Sequence, residues 1–181
     1  MHTENSRVSI THPLPLASRE TQSQHCLDTL TAIPAMEAVL SDTSMRALIR
    51  SAAGNANYLA RLMEKYPEQL AAIYLTGFDD AWLKLAEETR MLDVVTIDQA
   101  TLMLRLRQLK ARAALSIALA DIAGAWPLAT VTRALSEFAG DAVTATLRHL
   151  LHKAAQRGEY TITHTAEPEM GSGIIILGMG K

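Results

Sequence analysis

T-I-D-Q-A-T-L-M-L-R-L-R-Q-L-K-A-R-A-A-L-S-I-A-L-A-D-I, residues 96–122, is the stretch that decides the fold. Leu102, Leu106, Leu109, Ala113, Ile117 and Ala120 recur there at spacings of three or four, which puts them on one stripe of an α-helix. Thr96 or Asp98 can cap the start, and Gly124 stops the chain just past the end. A long helix with an unbroken apolar stripe needs other helices to cover it. The composition supplies them: hydrophobic residues make up 49% of the chain and aromatics only 4%, with Ala and Leu abundant. Ala and Leu lose little rotamer freedom in a helix, and Ala lets helices approach closely.

The same reading extends in both directions. Upstream, Asp42 or Ser44 can cap a helix through Arg50, ended by Gly54 and Asn55. Asn57 caps a short helix over 58–65, which stops before Pro67. Pro67 suits the first turn of the next helix, which runs to about Leu75 and stops at Gly77. Asp79 and Asp80 precede another, carrying Trp82, Leu85 and Ala86 and reaching Met91. Downstream, Pro127 opens a helix over 128–138 closed by Gly140, and Asp141 caps a further one to Arg157, ended by Gly158. That makes seven or eight helices without a fixed repeat, which argues against a solenoid. Residues 1–27 have no sustained period and read as a flexible lead-in. Residues 28–166 read as the helical region, and 167–181 as the start of a second domain.

After Gly158 the helical stripe disappears. The chain closes on G-S-G-I-I-I-L-G-M-G-K, residues 171–181. Three consecutive isoleucines are β-branched and apolar on both faces, so Ile174 to Leu177 reads as a buried strand running into a glycine turn. A lone strand cannot satisfy its backbone, so the sequence reads as interrupted in the middle of a domain. Glycines after a strand let backbone N–H groups approach phosphate. Gly178, Gly180 and Lys181 are therefore the candidate nucleotide or phosphate residues, with a simple tight turn as the bland alternative. The segment is not a P-loop: no glycine stands five residues before Gly180, and no Ser or Thr follows Lys181. A dinucleotide fingerprint would need a third glycine.

The net charge of −2 gives no whole-surface attraction to nucleic acid or to anionic lipid. The single cysteine, Cys26, permits no internal disulfide and fits a reducing compartment. No apolar run is long enough to cross a bilayer, and residues 1–19 lack the apolar core of a secretion signal. The expectation is a cytoplasmic protein with no nucleic-acid or membrane partner. Arg105, Arg107, Lys110 and Arg112 cluster on one helix. Arg105 and Arg112 share a face, and so do Arg107 and Lys110. They serve either as a solvated flank with aliphatic stems on the core, or as a contact for phosphate or an acidic surface. His149 and His152 stand three apart but have no evident third ligand, and so read as surface or helix-end histidines rather than a metal site. Trp82 and Trp126 read as anchors between helices. A reactive role for Cys26 has no support beyond the adjacent His25.

The run Ile174 to Lys181, I-I-I-L-G-M-G-K, resembles the strand and turn that open the nucleotidyltransferase domain of glutamine-synthetase adenylyltransferases/deadenylylases. Residues 111–121, A-R-A-A-L-S-I-A-L-A-D, resemble that family's long helix. Residues 122–139, I-A-G-A-W-P-L-A-T-V-T-R-A-L-S-E-F-A, resemble the family's segment immediately after that helix. Leu147 to Gly158 and the link Glu167 to Gly173 match in kind, and Gly54 to Leu59 with Tyr66-Pro67 match more loosely. The resemblance covers roughly residue 45 onward and is most specific from Ala111.

It implies a mainly α region followed by the first strand and glycine turn of an α+β nucleotidyltransferase domain. It also implies an activity: removing AMP from a tyrosine of glutamine synthetase by phosphorolysis, with a further domain adding AMP from ATP. Its implied partners are glutamine synthetase and a PII signalling protein, and its implied cofactor is Mg²⁺. In the family, L-G-M-G-K is followed by two acidic residues separated by one position. Those metal-binding carboxylates would lie beyond Lys181, so no catalytic or metal residue is expected here, and Asp79, Asp80 and Asp93 lack the context. The chain alone is expected to be inactive. Two other readings stay open. One is a stand-alone helical module that binds glutamine synthetase or PII. The other is an unrelated dinucleotide-binding enzyme whose fold begins at Gly173, which would show an acidic residue about twenty positions past the turn.

Overall fold

The computed structural model describes residues 8–178. They form α1 (Glu20–Thr31), a 3₁₀ turn at Pro34–Met36, α2 (Glu37–Ser41), α3 (Thr43–Asn55), α4 (Asn57–Lys65), α5 (Pro67–Arg90), α6 (Gln99–Ile122) and α7 (Leu128–Gln156). The mainly helical class read from the sequence is what the described residues show. Helix α6 is central: it packs on α5 and α7 and, more lightly, on α3 and α4. Leu109, Ala113, Leu115, Ile117, Leu119 and Ala120 of α6 are all buried in one continuous core. Helices α1, α3 and α4 close the far side of that core.

The local signals work largely as their chemistry dictates. The Asp42 carboxylate accepts from the Met45 amide at 2.8 Å and starts α3. The Asp98 carboxylate accepts from the Thr101 amide at 3.0 Å and starts α6. Pro67 stands in the first turn of α5, where its missing N–H costs nothing. Gly77 breaks α5 with φ 83° and ψ 173°, a backbone only glycine adopts readily, so 67–76 and 78–90 are two helices across a kink. Asn57 opens α4 without capping it; its side chain accepts from Gln22 instead.

Three expectations need correction. The break at Gly140 does not occur, and α7 runs through it. A mid-helix glycine costs only about 1 kcal/mol relative to Ala. Buried residues on both sides of it, Val131 and Ala134 before, Ala145 and His149 after, hold one axis. Asp141 therefore caps nothing; its carboxylate pairs with Arg90 at 3.4 Å.

The lead-in assigned to residues 1–27 is also not what the described part shows. Helix α1 begins at Glu20, and residues 8–19 form a strap across two helix ends. The Thr11 amide donates to Ala123 O at 3.0 Å and its hydroxyl to Gly124 O at 2.7 Å. The Arg19 amide donates to Gly54 O at 3.0 Å, and the Ser51 hydroxyl donates to Pro15 O at 2.7 Å. The strap thus satisfies carbonyls that the ends of α6 and α3 leave open.

Finally, no strand forms among the described residues. Ile174 to Leu177 is exposed and has no neighbouring strand among the described residues. The glycine turn lies mostly outside the described residues.

Two substitutions test this packing. Leu115→Ala, at a fully buried site on α6, is expected to lower unfolding free energy by about 2–5 kcal/mol. Leu104→Ala, at an exposed site on the same helix, is expected to change it by less than about 0.5 kcal/mol. Urea titration of both variants reads the difference, and equal losses would contradict the assignment of faces. A third substitution, at Gly54, tests the strap. A Cβ there would stand 2.4 Å from Ala17 Cβ and 2.9 Å from its Cα, so the strap must move. Gly54→Ala is expected to cost about 1–3 kcal/mol and to speed amide exchange at Thr11 and Arg19. Unchanged exchange would show that the strap does not seat on α3.

Candidate functional site

The candidate phosphate residues fall at the end of the described structure. Gly178 is exposed and follows the extended segment; Gly180 and Lys181 lie outside the described residues. What positions this end of the chain is the link before it. The Arg148 guanidinium on α7 donates from Nε to both Glu169 oxygens at 3.0 Å, and from Nη2 to Oε1 at 2.5 Å. This bidentate fork is the strong geometry for an arginine–carboxylate pair. The Tyr160 hydroxyl donates to Pro168 O at 3.0 Å, and positive-φ turns at Gly171 and Gly173 come after it. The link therefore starts from a fixed point on α7. The Arg148 hydrogen bonds hold the Glu169 carboxyl below its ordinary range, and the carboxylate in turn pushes Arg148 up.

The basic cluster divides. The Arg112 Nε donates to Gln69 Oε1 at 3.1 Å and its Nη1 to Glu88 at 2.7 Å. Gln69, itself buried, donates from Nε2 to the Ser116 hydroxyl at 2.9 Å. Arg112 is thus tied into a polar chain that fixes α5 against α6. Arg105, one of the pair expected to share its face, does line the same cleft of about 540 Å³, together with Glu68, Glu88 and Asp93. No carboxylate among the described residues lies within ion-pair distance of Arg105, while Arg107 and Lys110 point to solvent. The cleft carries both signs of charge and has no single-sign preference for phosphate.

The histidines also divide. His149 is buried rather than at the surface, and His152 is half-buried. His149 Nδ1 stands 3.0 Å from Val94 O; a carbonyl only accepts, so Nδ1 carries the proton. That bond pins the 91–98 loop to α7. His149 Nε2 is buried without a hydrogen-bond partner. Within the loop, Asp93 accepts from the Val95 and Thr96 amides and the Thr96 hydroxyl, which hold its carboxyl below the usual range. No three His, Cys, Asp or Glu side chains converge among the described residues. The Mg²⁺ implied by the resemblance therefore finds no three-ligand donor set among those residues.

Trp82 and Trp126 meet edge to face with ring centres 6.2 Å apart, and Trp126 Nε1 donates to Asp79 at 2.7 Å. They anchor α5 to the turn before α7, as the sequence suggests. Cys26 is fully buried; burial, followed by the charge of Glu64, pushes its thiol up to about 12, which removes the thiolate. Sequence reasoning missed the Ser116–Gln69–Arg112–Glu88 chain and the Arg148–Glu169 fork. Ser116 inside an Ala/Leu run was the one local sign of a buried polar pair.

Glu169 has its pKa lowered in the fold, so its contribution is fully present above the unfolded value. That contribution is lost as pH falls through the folded value. Acidification below the ordinary carboxylate range is expected to free the 159–173 link, and Glu169→Gln to do so at neutral pH. Limited proteolysis reads both, and a link equally resistant in the variant would contradict the anchor.

The model of the glutamate-ammonia ligase adenylyltransferase family matches residues 46–181. A bifunctional glutamine synthetase adenylyltransferase/adenylyl-removing enzyme of Rhodopseudomonas palustris (strain BisB5) is 38% identical over 133 residues, covering 74% of this chain and 13% of that protein. The protein of the same name in strain HaA2 is 36% identical over 164 residues, covering 87% of this chain and 17% of its own length. The one in Bradyrhizobium sp. (strain ORS 278) is 49% identical over 83 residues, or 46% of this chain and 8% of that protein. The chain thus spans less than a fifth of the length of these relatives. No solved structure matches it. With a family model covering three quarters of its residues, the chain belongs to the glutamate-ammonia ligase adenylyltransferase family.

Proposed function

We infer that this chain is the helical platform of an adenylyl-removing unit that acts on glutamine synthetase. The observation that carries this is the family match, which extends from within α3 to residue 181 and so includes the I-I-I-L-G-M-G-K segment. In this reading α5, α6 and α7 form the rigid base. The Arg148–Glu169 fork sets where the chain leaves that base toward the nucleotide. Gly178 and Gly180 would let backbone amides approach the phosphate of AMP, with Lys181 beside them. Glutamine synthetase would be the macromolecular substrate, and a PII protein the regulator. ATP, AMP and phosphate would be the small-molecule partners.

The metal chemistry of such a unit needs converging carboxylates. By the resemblance those carboxylates follow the glycine turn, so in this reading residues 1–181 support the reaction without performing it. A cytoplasmic setting agrees with this substrate, and no helix is long and apolar enough to cross a membrane.

The test is a chimera. In the BisB5 relative, the aligned segment is replaced by this chain, and phosphate-dependent release of AMP from adenylylated glutamine synthetase is measured. Activity within about tenfold of the parent is expected, a difference of about 1.4 kcal/mol in barrier. A soluble, folded chimera without release would overturn the reading. Release by residues 1–181 alone would overturn the supporting role.

A further inference from the structure

We propose that the cleft between α5, α6 and the 91–98 loop is a binding site for a small zwitterion with an apolar body, either a free apolar α-amino acid or a short peptide of such residues. The site stands apart from the functional reading above, and nothing in it depends on the adenylyl-removing reaction.

The cleft has a volume of about 540 Å³. Small-molecule sites run from about 300 to about 1,000 Å³ and combine an apolar lining with a few placed polar groups. Arg105, Leu109 and Arg112 recur on α6 at spacings of three or four and so present one face to the cleft. Tyr66 and Leu109 are buried, and Leu92 and Ile97 half-buried; together they make its apolar part.

The polar groups fall into two sets. Arg112 is engaged by Gln69 and Glu88, and Asp93 by the Val95 and Thr96 amides and the Thr96 hydroxyl. The fold itself holds these groups, and they form fixed walls. Arg105, Glu68 and Gln108 also line the cleft, but none of the three has a hydrogen-bond or ion-pair partner among the described residues. An uncommitted guanidinium and an uncommitted carboxylate thus stand in one cleft without pairing with each other. A ligand carboxylate on Arg105 and a ligand ammonium on Glu68 would satisfy both, and the Gln108 amide, which donates and accepts, can assist either end.

Charge narrows the ligand further. Glu68, Glu88 and Asp93 face Arg105 and Arg112, so the lining carries one more negative charge than positive. A phosphate group brings about two negative charges toward three carboxylates and is repelled. A simple amine leaves Arg105 unpaired, and a simple carboxylate leaves Glu68 unpaired. A zwitterion adds no net charge and pairs with both. The apolar part then selects the body, because a polar side chain against Tyr66, Leu92 and Ile97 would lose its hydrogen bonds to water. A single apolar amino acid and a dipeptide share this chemistry and differ in the distance between their charged ends.

The experiment is calorimetric titration of the full chain with L-leucine and with leucyl-leucine. At least one is expected to bind with a Kd of about 1 mM or tighter, and the tighter of the two identifies the source. Isocaproate lacks the amine, isoamylamine lacks the carboxylate and serine lacks the apolar body; each is expected to bind at least about tenfold more weakly. Arg105→Gln and Glu68→Gln are each expected to weaken binding by at least about tenfold. Arg107→Gln, on the same helix but outside the cleft, is expected to leave it unchanged. All three positions are exposed, so the variants are expected to keep the parent's urea midpoint, which is measured alongside. Absence of binding by both leucine and leucyl-leucine would overturn the proposal. So would a singly charged analogue or inorganic phosphate binding as tightly as the better of the two, or binding that survives Arg105→Gln undiminished.

Discussion

Burial of the second half of α6 is the constraint on which the rest depends. A helix touched by α5 and α7 and also by α3 and α4 must be apolar over more than one narrow stripe there. That is why Leu115 and Leu119 are fully buried although neither belongs to the stripe that first marks the helix. Such packing is strong but gives little register, because Ala and Leu surfaces slide with small loss. Register comes from the polar chain through Arg112, Gln69 and Ser116, where hydrogen bonds hold only at one offset. The apolar surface therefore supplies most of the stability, and a few buried polar atoms choose the arrangement.

Much of this was legible from local chemistry. Asp42, Asp98, Pro67, Gly77 and Gly124 each act within a turn or two of their own position, and each behaves as read. The failures share a cause: they turn on contacts distant in sequence. Gly140 looked like a stop because a lone glycine weakens a helix, but the decision lay with the side chains packed on either side of it. Residues 8–19 looked patternless because their partners are carbonyls at the ends of α3 and α6, which leave no trace in the periodicity of the strap itself.

The candidate site rests on composition alone, since Gly180 and Lys181 lie outside the described residues. A glycine turn after an apolar run names a chemistry, yet a strand is defined by its neighbours, and none stands beside 174–177 among the described residues. His149 shows the converse case. Its spacing to His152 invited a metal reading, whereas its position in the fold makes it a clamp between α7 and the 91–98 loop. Spacing along a helix says which side chains share a face and nothing about what faces them.

The strap has a consequence for the order in which the molecule is made. Thr11 bonds to Gly124, 113 positions further along the chain. Translation at roughly 5–20 residues per second delivers that partner on the order of ten seconds after the strap leaves the ribosome. Until then Thr11 has no place to dock, while residues 15–19 can already seat on α3 and α1, α3 and α4 can assemble from nearby sequence. The Thr11 end of the strap is thus among the last parts to settle, and its arrival closes the fold over the end of α6.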